Sequence, residues 1–210
     1  DFGGKAAGKT VEVIGADNQN KADVASALVR RWFDTQGLVA VVDGGASSAG
    51  LAAQGVAREK GGTALISGGF AGDFSGKQCS NLSTQWAPDT YALANAVVKS
   101  VVESGGKTWY FITTDYVFGK SLEANASRFV ESAGGKVLGS TRHPLGALDF
   151  ASFLVQAQSS KADVVGLASA GGDLVNLIKQ AQEFGLTGGK QRMLTFLTFI
   201  NDVQAMGLPV

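Results

Sequence analysis

KTWYFITTDYVFGKSL, residues 107–122, contains the clearest fold signal in this chain. Residues 108–113 are strand formers, residues 114–118 make an acidic and aromatic loop, and a helix is expected after Gly119. A buried parallel strand that ends in such a loop places side chains at the carboxyl edge of its sheet, where α/β proteins bind ligands. This stretch therefore predicts both a parallel sheet and one wall of a binding cleft.

The remaining chain repeats the same alternation of short apolar strands and amphipathic helices. Glycine pairs follow three of the predicted helices, at positions where a permissive backbone ends a helix. Strict alternation of this kind predicts a doubly wound, parallel α/β sheet with right-handed crossovers. The other predicted strands span residues 10–16, 38–42, 63–66, 136–141, 162–168 and 192–197, and residues 79–84 are expected to be a short extended crossing segment.

Composition excludes several classes of protein. The chain has 210 residues, of which 45% are hydrophobic and 17% charged, as in an ordinary globular protein and unlike a disordered chain. The numbers of basic and acidic residues are equal, at 18 each, so no basic surface for nucleic acid is expected. No apolar run approaches the ~20 residues that span a bilayer.

Residues for catalysis or metal binding are sparse. The single cysteine, Cys79, and the single histidine, His143, are far apart in sequence, which argues against a nucleophile–base pair and against a zinc site. No G-x-x-x-x-G-K-[ST] phosphate loop occurs, and the glycines of residues 68–72 have the wrong spacing for a dinucleotide-binding turn. The sequence thus predicts no catalytic residues, no metal and no cofactor.

Two turns are candidates for the first wall of a ligand site. Ser47 and Ser48 start a predicted helix, where hydroxyls and backbone N–H groups can hold an anion or a carbonyl group. Simple helix capping is the alternative, and for Ser47 it is slightly favoured. Gly69, Phe70 and Ala71 form a wall of mainly small residues on which a ligand can lie, or else an ordinary glycine-rich turn.

The opposite wall is expected to come from turns later in the chain. Tyr116 and Phe118 can clamp an apolar or aromatic ligand, although one of them fits better as a residue that packs on its own part of the chain. Ala170 is small and leaves room for a ligand. Asp173 is expected to cap the helix that follows, and Arg142 is expected to be a solvated surface residue.

Four stretches carry a resemblance to a known family. They are GADNQNKADVASALV with VAVVDGGASSAGLAA, then ALISGGFA, TDYVFGKSL and GALDFASFLVQAQSSKADVVGLASAGGDLVNLIKQAQEFGL. In these stretches the chain resembles the type I solute-binding proteins of ABC transporters, in the class that binds branched-chain amino acids and amides. Each motif alone is weakly specific, but together they cover nearly the whole chain.

The resemblance implies two Rossmann-like lobes, each with a parallel sheet, that close around a ligand at a hinge. Residues 1–85 correspond to the first lobe, without the strand and helix that come first in the family. Residues 86–210 correspond to a nearly complete second lobe that ends before the second hinge crossing, and the boundary is expected at about residues 82–86. A first lobe that lacks a central strand is expected to form homo-oligomers or to expose apolar edges.

The family's ligand contacts correspond to single positions of this sequence. Ser48 resembles the serine that holds the ligand carboxylate, and Gly69 and Ala71 resemble the small and Thr/Ser positions of the next turn. Phe118 matches the aromatic residue of the second lobe, and Ala170 lies near a position where relatives carry another aromatic residue. These roles are implied by the resemblance alone.

The sequence departs from the family's amino acid binders at two places. Ala71 replaces the Thr/Ser donor, and residues 197–200, Leu-Thr-Phe-Ile, replace an acidic residue that holds the ligand's α-ammonium group. A buried ammonium without a carboxylate partner is costly, which argues against an α-amino acid. An apolar or aromatic ligand, with its carboxylate near Ser47 and Ser48, is favoured instead by four aromatic residues: Phe70, Trp86, Phe118 and Phe199.

By resemblance, the chain is the extracytoplasmic solute-binding component of an ABC importer, located in the periplasm or outside the cell. Its partners are then a small-molecule ligand and the membrane permease, and its signal peptide lies outside the given residues. One alternative is the ligand-sensing module of a receptor or regulator with the same fold. A less favoured alternative is a Rossmann-type, NAD-dependent enzyme.

Overall fold

The structure, a computed structural model, describes residues 3–43 and 45–207. In its first part, an antiparallel hairpin precedes a three-stranded sheet whose strands are all parallel. The elements of this part are β1 (Lys5–Ala6), β2 (Lys9–Thr10), α1 (Ala22–Thr35), β3 (Ala40–Asp43), α2 (Ser47–Lys60), β4 (Thr63–Ile66) and β5 (Ser83–Gln85). The strands of the sheet follow the order β3-β4-β5.

The second part forms a four-stranded parallel sheet. Its elements are α3 (Thr90–Glu103), β6 (Thr108–Thr114), α4 (Val117–Ser132), β7 (Lys136–His143), α5 (Ala151–Ser160), β8 (Val164–Ala168), α6 (Gly171–Glu183), β9 (Arg192–Thr195) and α7 (Ile200–Met206). The strand order is β7-β6-β8-β9, so the chain moves from β6 outward to β7 and then returns past β6 to β8. The order in which the chain adds strands thus reverses between β6 and β8, although these strands are parallel. Ligands of α/β proteins bind at the carboxyl ends of the strands at such a switch point.

Helices cover both faces of the second sheet. On one face, α3 and α4 pack against Trp109 and Phe111 of β6. On the other face, α5 and α6 pack against Ile112 of β6 and against Val165 and Leu167 of β8. Every residue of β8 is buried, as expected for a strand that is covered on both faces. This double coverage holds the strand ends, and the loops that follow them, in fixed positions.

The first sheet packs against α1 and α2 through one of its faces. Val41 of β3 and Ile66 of β4 point toward these helices and are buried. The next residue of β3, Val42, points to the opposite face and is 69% exposed. The parallel α/β architecture predicted from the sequence is therefore confirmed for both sheets.

The predicted strand at residues 10–16 is wrong. In the structure β2 ends at Thr10, and residues 11–18 have no regular secondary structure. Val13, an apolar member of the alternating pattern, is 88% exposed. An alternating pattern gives a strand only where a neighbouring strand supplies hydrogen bonds and an apolar face, and no strand of the described residues pairs with residues 11–16.

The loop after β6 is shorter than the sequence suggests. Helix α4 begins at Val117, so Phe118 and Gly119 belong to its first turn, and only Asp115 and Tyr116 separate strand from helix. A Cβ atom added to Gly119 would overlap the carbonyl oxygen of Thr114. Glycine is therefore required where the start of α4 lies directly against the end of β6.

The segment that was expected to cross between lobes contains a third strand of the first sheet. Instead of an extended piece at residues 79–84, β5 pairs in parallel with β4 from Ser83 to Gln85. The Trp86 N–H continues this pairing by donating to the carbonyl oxygen of Ile66 at 2.8 Å. Helix α3, which follows, packs with the second sheet. The division into lobes of residues 1–85 and 86–210 stays a prediction.

Candidate ligand-binding cleft

A cavity of about 380 Å³ lies where the carboxyl ends of the two sheets face each other. From the first sheet come the turns after β3 and β4, together with Asn20 before α1. From the second sheet come the turns after all four strands. The lining residues are Asn20, Gly45, Ala46, Ser47, Gly68, Phe70, Tyr116, Phe118, Leu145, Gly146, Ala170, Gly171, Gly172, Asp173, Leu197 and Phe199. The volume is within the range of small-molecule pockets in proteins.

Ser47 joins the two turns of the first sheet. Its hydroxyl oxygen accepts hydrogen bonds from the backbone N–H groups of Phe70 and Ala71, both at 3.1 Å, and the side chain is buried. The predicted capping role of Ser47 is wrong, because the N-cap of α2 is Ala46 and no side chain caps this helix. The side-chain oxygen of Asn20 accepts a hydrogen bond from the Ala46 N–H at 3.3 Å, which fixes the start of α2 from the other side.

Aromatic rings form much of the cavity wall. The ring of Phe70, from the first sheet, meets that of Phe118 edge-on with centroids 6.1 Å apart, and that of Phe199 at 6.3 Å. Tyr116 and Phe118 lie 5.8 Å apart. Such edge and tilted arrangements are favourable for aromatic pairs. The Phe70 contacts connect the two sheets and form part of the apolar wall.

A buried polar network lies beneath the second-sheet side of the cavity. The hydroxyl oxygens of Thr114 and Ser169 are 2.8 Å apart, and each lies within 3.1 Å of Nε2 of His143. Nδ1 of His143 is 2.9 Å from the carbonyl oxygen of Pro144, and a carbonyl only accepts, so Nδ1 is the donor. Nε2 faces the two hydroxyl groups, each of which can donate or accept. This network connects the ends of β6, β7 and β8.

Asp173 lines the cavity from the first turn of α6. Its two oxygens share the backbone N–H of Gly146 at 3.2 and 3.0 Å, and the residue is only 8% exposed. Burial raises the pKa of the Asp173 carboxyl, while the Gly146 hydrogen bond and the nearby His143 act in the opposite direction. The expected capping role is wrong: the N-cap of α6 is Ala170, and the Asp173 side chain bonds the loop after β7 instead.

Tyr116 contributes its phenol side chain to the same cavity. Burial, and to a lesser extent the charge of Asp173, raise the pKa of Tyr116 well above its usual value. Its hydroxyl therefore keeps its proton at all physiological pH values and can both donate and accept a hydrogen bond.

Of the ten predicted site residues, six line the cavity and four do not. The six come from five different turns, so the prediction that strand-end turns converge agrees with the geometry. Their role as ligand contacts stays a prediction. The lining residues are Ser47, Phe70, Tyr116, Phe118, Ala170 and Phe199.

The other four predicted residues have different surroundings. Gly69 faces the core of the first sheet, because a Cβ atom there would overlap the ring of Phe74. Ala71 is fully buried in the same core. Trp86 is 76% exposed, and its indole N–H donates to the Thr84 hydroxyl at 2.7 Å. Ser48 is the next helical residue after Ser47, about 100° around the helix axis, and does not line the cavity.

Sequence reasoning missed several lining residues for identifiable reasons. Leu145 and Gly146 follow β7, which was predicted to end at Thr141 but continues to His143. With the correct strand end, the same rule that selected Tyr116 would have selected them. No sequence signal distinguished Asn20 as a cavity residue.

Neither a metal centre nor a membrane span is found in residues 3–43 and 45–207. No three His, Cys, Asp or Glu side chains of these residues are grouped so that they could hold a metal ion. No helix among them is both long enough and apolar enough to cross a membrane. Cys79 is exposed.

Comparison with known proteins identifies the family. Residues 1–210 match the sequence profile of the family described as periplasmic binding protein. The chain belongs to the periplasmic binding protein family. The predicted resemblance to the ligand-binding receptors of ABC transporters is thereby confirmed, and this family and its solved members are binding proteins. Among curated proteins, none matches this chain.

Solved structures of periplasmic binding proteins superpose closely on the chain. One from Burkholderia mallei is 50% identical, with a TM-score of 0.94 over 98% of this chain and 55% of its own. A branched chain amino acid ABC transporter periplasmic ligand-binding protein from Burkholderia xenovorans LB400 is 33% identical, with a TM-score of 0.74 over the same shares. An ABC transporter solute binding protein from Rhodopseudomonas palustris BisB5, in complex with 3,4-dihydroxy benzoic acid, is 22% identical, with a TM-score of 0.84 over 92% of this chain and 53% of its own.

The chain spans about half the length of these solved structures. The likeness to the Rhodopseudomonas palustris structure is a likeness of fold. All three superpositions support the type I periplasmic binding fold for both sheets described above.

Proposed function

We propose that this chain is part of the solute-binding component of an ABC importer, and that its cavity takes a small carboxylate-bearing ligand with an apolar or aromatic body. The observation that carries the proposal is the aromatic wall of Phe70, Phe118 and Phe199 beside the start of α2. An apolar ring gains free energy by leaving water for such a wall.

The start of α2 is the proposed position of the ligand carboxylate. The first N–H groups of a helix have no acceptor within the helix, and the helix dipole favours negative charge there. Ala46 and Ser47 line the cavity at this point. Helix α2 has 14 residues, so its dipole is that of a full helix.

The ligand is proposed to contact both sheets at once. Ser47 and Phe70 come from the first sheet, and Tyr116 and Phe118 from the second. A ligand that bonds both sides favours closure of one lobe on the other, the movement expected of a hinge between residues 1–85 and 86–210. The membrane permease is the proposed protein partner, and the periplasm the proposed location.

Two kinds of ligand compete within this proposal. The Burkholderia xenovorans relative is described as a branched chain amino acid transporter protein, and the Rhodopseudomonas palustris structure holds an aromatic acid. The absence of an acidic residue in residues 197–200 favours the aromatic acid for this chain. Asp173, which lines the cavity from α6, offers a carboxylate from a different direction.

Calorimetric titration of the purified protein tests the proposal. We expect benzoate to bind, and benzyl alcohol, which has a similar ring but no carboxylate, to bind at least tenfold more weakly. Leucine and NAD are titrated alongside. Binding of leucine without benzoate would keep the family and overturn the ligand class, whereas binding of NAD alone would favour the enzyme alternative.

A further inference from the structure

We infer that Asp173 selects ligands that carry a hydrogen-bond donor, a hydroxyl or ammonium group, at the end opposite to their carboxylate. The inference rests on the proposed function of the cavity and adds a second polar end to the ligand. Asp173 follows β8 in the second sheet, whereas the start of α2 follows β3 in the first. The two ends of the ligand would thus be held by opposite walls.

The carboxylate of Asp173 has acceptor capacity that the protein leaves unused. An ionised carboxylate accepts about four hydrogen bonds. The hydrogen bonds of Asp173 in the described residues come from a single donor, the Gly146 N–H, which its two oxygens share. The side chain is 10% exposed, so bulk water reaches little of it. A donor group on a ligand in the cavity could complete this set.

The charge of Asp173 also has no lysine or arginine partner among the described residues. In residues 3–43 and 45–207 no lysine or arginine nitrogen lies within 4.0 Å of its oxygens. His143 is nearest, with Nδ1 at 3.9 Å, which is beyond hydrogen-bond distance, and that nitrogen donates to the carbonyl oxygen of Pro144. A buried carboxylate with one hydrogen-bond donor and no lysine or arginine partner is costly, and a donor on the ligand offsets that cost.

The neighbours of Asp173 fit a donor rather than a second carboxylate. Tyr116, whose hydroxyl keeps its proton, lines the same cavity as Asp173. Gly146, Gly171 and Gly172 have no side chains to fill this end of the cavity. A second carboxylate here would meet the charge of Asp173 at short range, which disfavours dicarboxylate ligands.

A purely structural role for Asp173 is the alternative, because its bond to Gly146 holds the loop after β7. The two roles differ in their dependence on the ligand. A loop anchor affects every ligand alike, whereas a selecting residue changes the ratio between ligands with and without a donor. The test therefore measures a ratio of affinities rather than one affinity.

The test compares benzoate, 4-hydroxybenzoate and 4-(aminomethyl)benzoate on the wild-type protein, Asp173→Asn and Asp173→Ala. In the wild type, we expect at least one of the substituted acids to bind about tenfold or more tightly than benzoate, as for a hydrogen bond to a charged group. Asp173→Ala should reduce this ratio to about twofold or less. Asp173→Asn should remove the tighter binding of the acid that carries an ammonium group. It should retain part of the tighter binding of 4-hydroxybenzoate, because the amide oxygen of asparagine still accepts a hydrogen bond.

Asp115→Asn is the matched control. Asp115 also follows a strand of the second sheet, but it is exposed, pairs with Lys120 at 2.8 Å and does not line the cavity. The ratio of affinities between the substituted acids and benzoate should be the same in Asp115→Asn as in the wild type. A wild-type ratio near one, or a ratio that survives Asp173→Ala, would overturn the inference. If benzoate binds but the ratio contradicts the inference, the proposed function stays intact. If none of the three acids binds, the inference and the proposed function are both contradicted.

Discussion

Ser47 and Ser48 are neighbours in sequence but have different surroundings in the structure. The pair predicted the start of α2 correctly, since Ser47 is its first residue. Which hydroxyl faces inward depends on the turn after β4, whose N–H groups at Phe70 and Ala71 bond Ser47. That turn is more than 20 residues away, so no local pattern could assign the inward serine.

At the same scale, Asp173 gives a prediction for the dependence of stability on pH. Its pKa is raised in the folded state, so the folded protein holds this proton more tightly than the unfolded chain. The unliganded protein should therefore lose stability as pH rises through the window between the unfolded and folded pKa values. The side chain of Asp173→Asn does not ionise. The variant should therefore be more stable relative to the wild type at pH 7 than at pH 3, as measured by the difference between their free energies of unfolding.

Urea denaturation of both proteins from pH 3 to pH 8 measures this difference. A difference in the free energy of unfolding that stays constant from pH 3 to pH 8, or in which the wild type becomes relatively more stable as pH rises, would contradict a raised pKa of Asp173.

Among the elements, strands with a buried neighbour on each side were predicted well. Residues 108–113 and 162–168 correspond closely to β6 and β8, because short runs rich in apolar and strand-forming residues leave few alternatives. The strand predicted at residues 10–16 is absent because an alternating pattern forms a strand only beside a partner strand. Strand ends were predicted less accurately. Because β7 continues two residues beyond its predicted end, the turn that lines the cavity contains Leu145 and Gly146.

The junction of β6 and α4 gives a prediction at the scale of elements. In Gly119→Ala, the new methyl group would overlap the carbonyl oxygen of Thr114 and lie 3.1 Å from that of Ala168. Both are backbone atoms of buried strands, so α4 must shift. We expect a loss of about 1–3 kcal/mol in the free energy of unfolding, as for other overpacked sites.

Gly55→Ala is the control for this substitution. Gly55 lies inside α2, and a Cβ atom there meets nothing within 4 Å. Alanine is the better helix former, so this variant should gain up to about 1 kcal/mol. Urea denaturation of both variants checks the pair, and equal effects of the two substitutions would show that the contact at Gly119 does not constrain α4.

For the whole molecule, the two sheets already meet at the cavity. Phe70 packs with the core of the second sheet, and Val117 of α4 packs with the core of the first. The alternation of strands and helices was sufficient to predict parallel sheets and converging turns. The facing of the two sheets depends on contacts between distant parts of the chain, such as those of Phe70 and Val117.

A crystal structure of the protein with its tightest-binding aromatic acid tests the central claim most directly. The account predicts the ligand in the cavity, with its carboxylate within hydrogen-bond distance of the backbone N–H groups at the start of α2. Its ring should contact Phe70 and Phe118. A ligand bound elsewhere, or one whose carboxylate lies at the Asp173 end, would contradict the account.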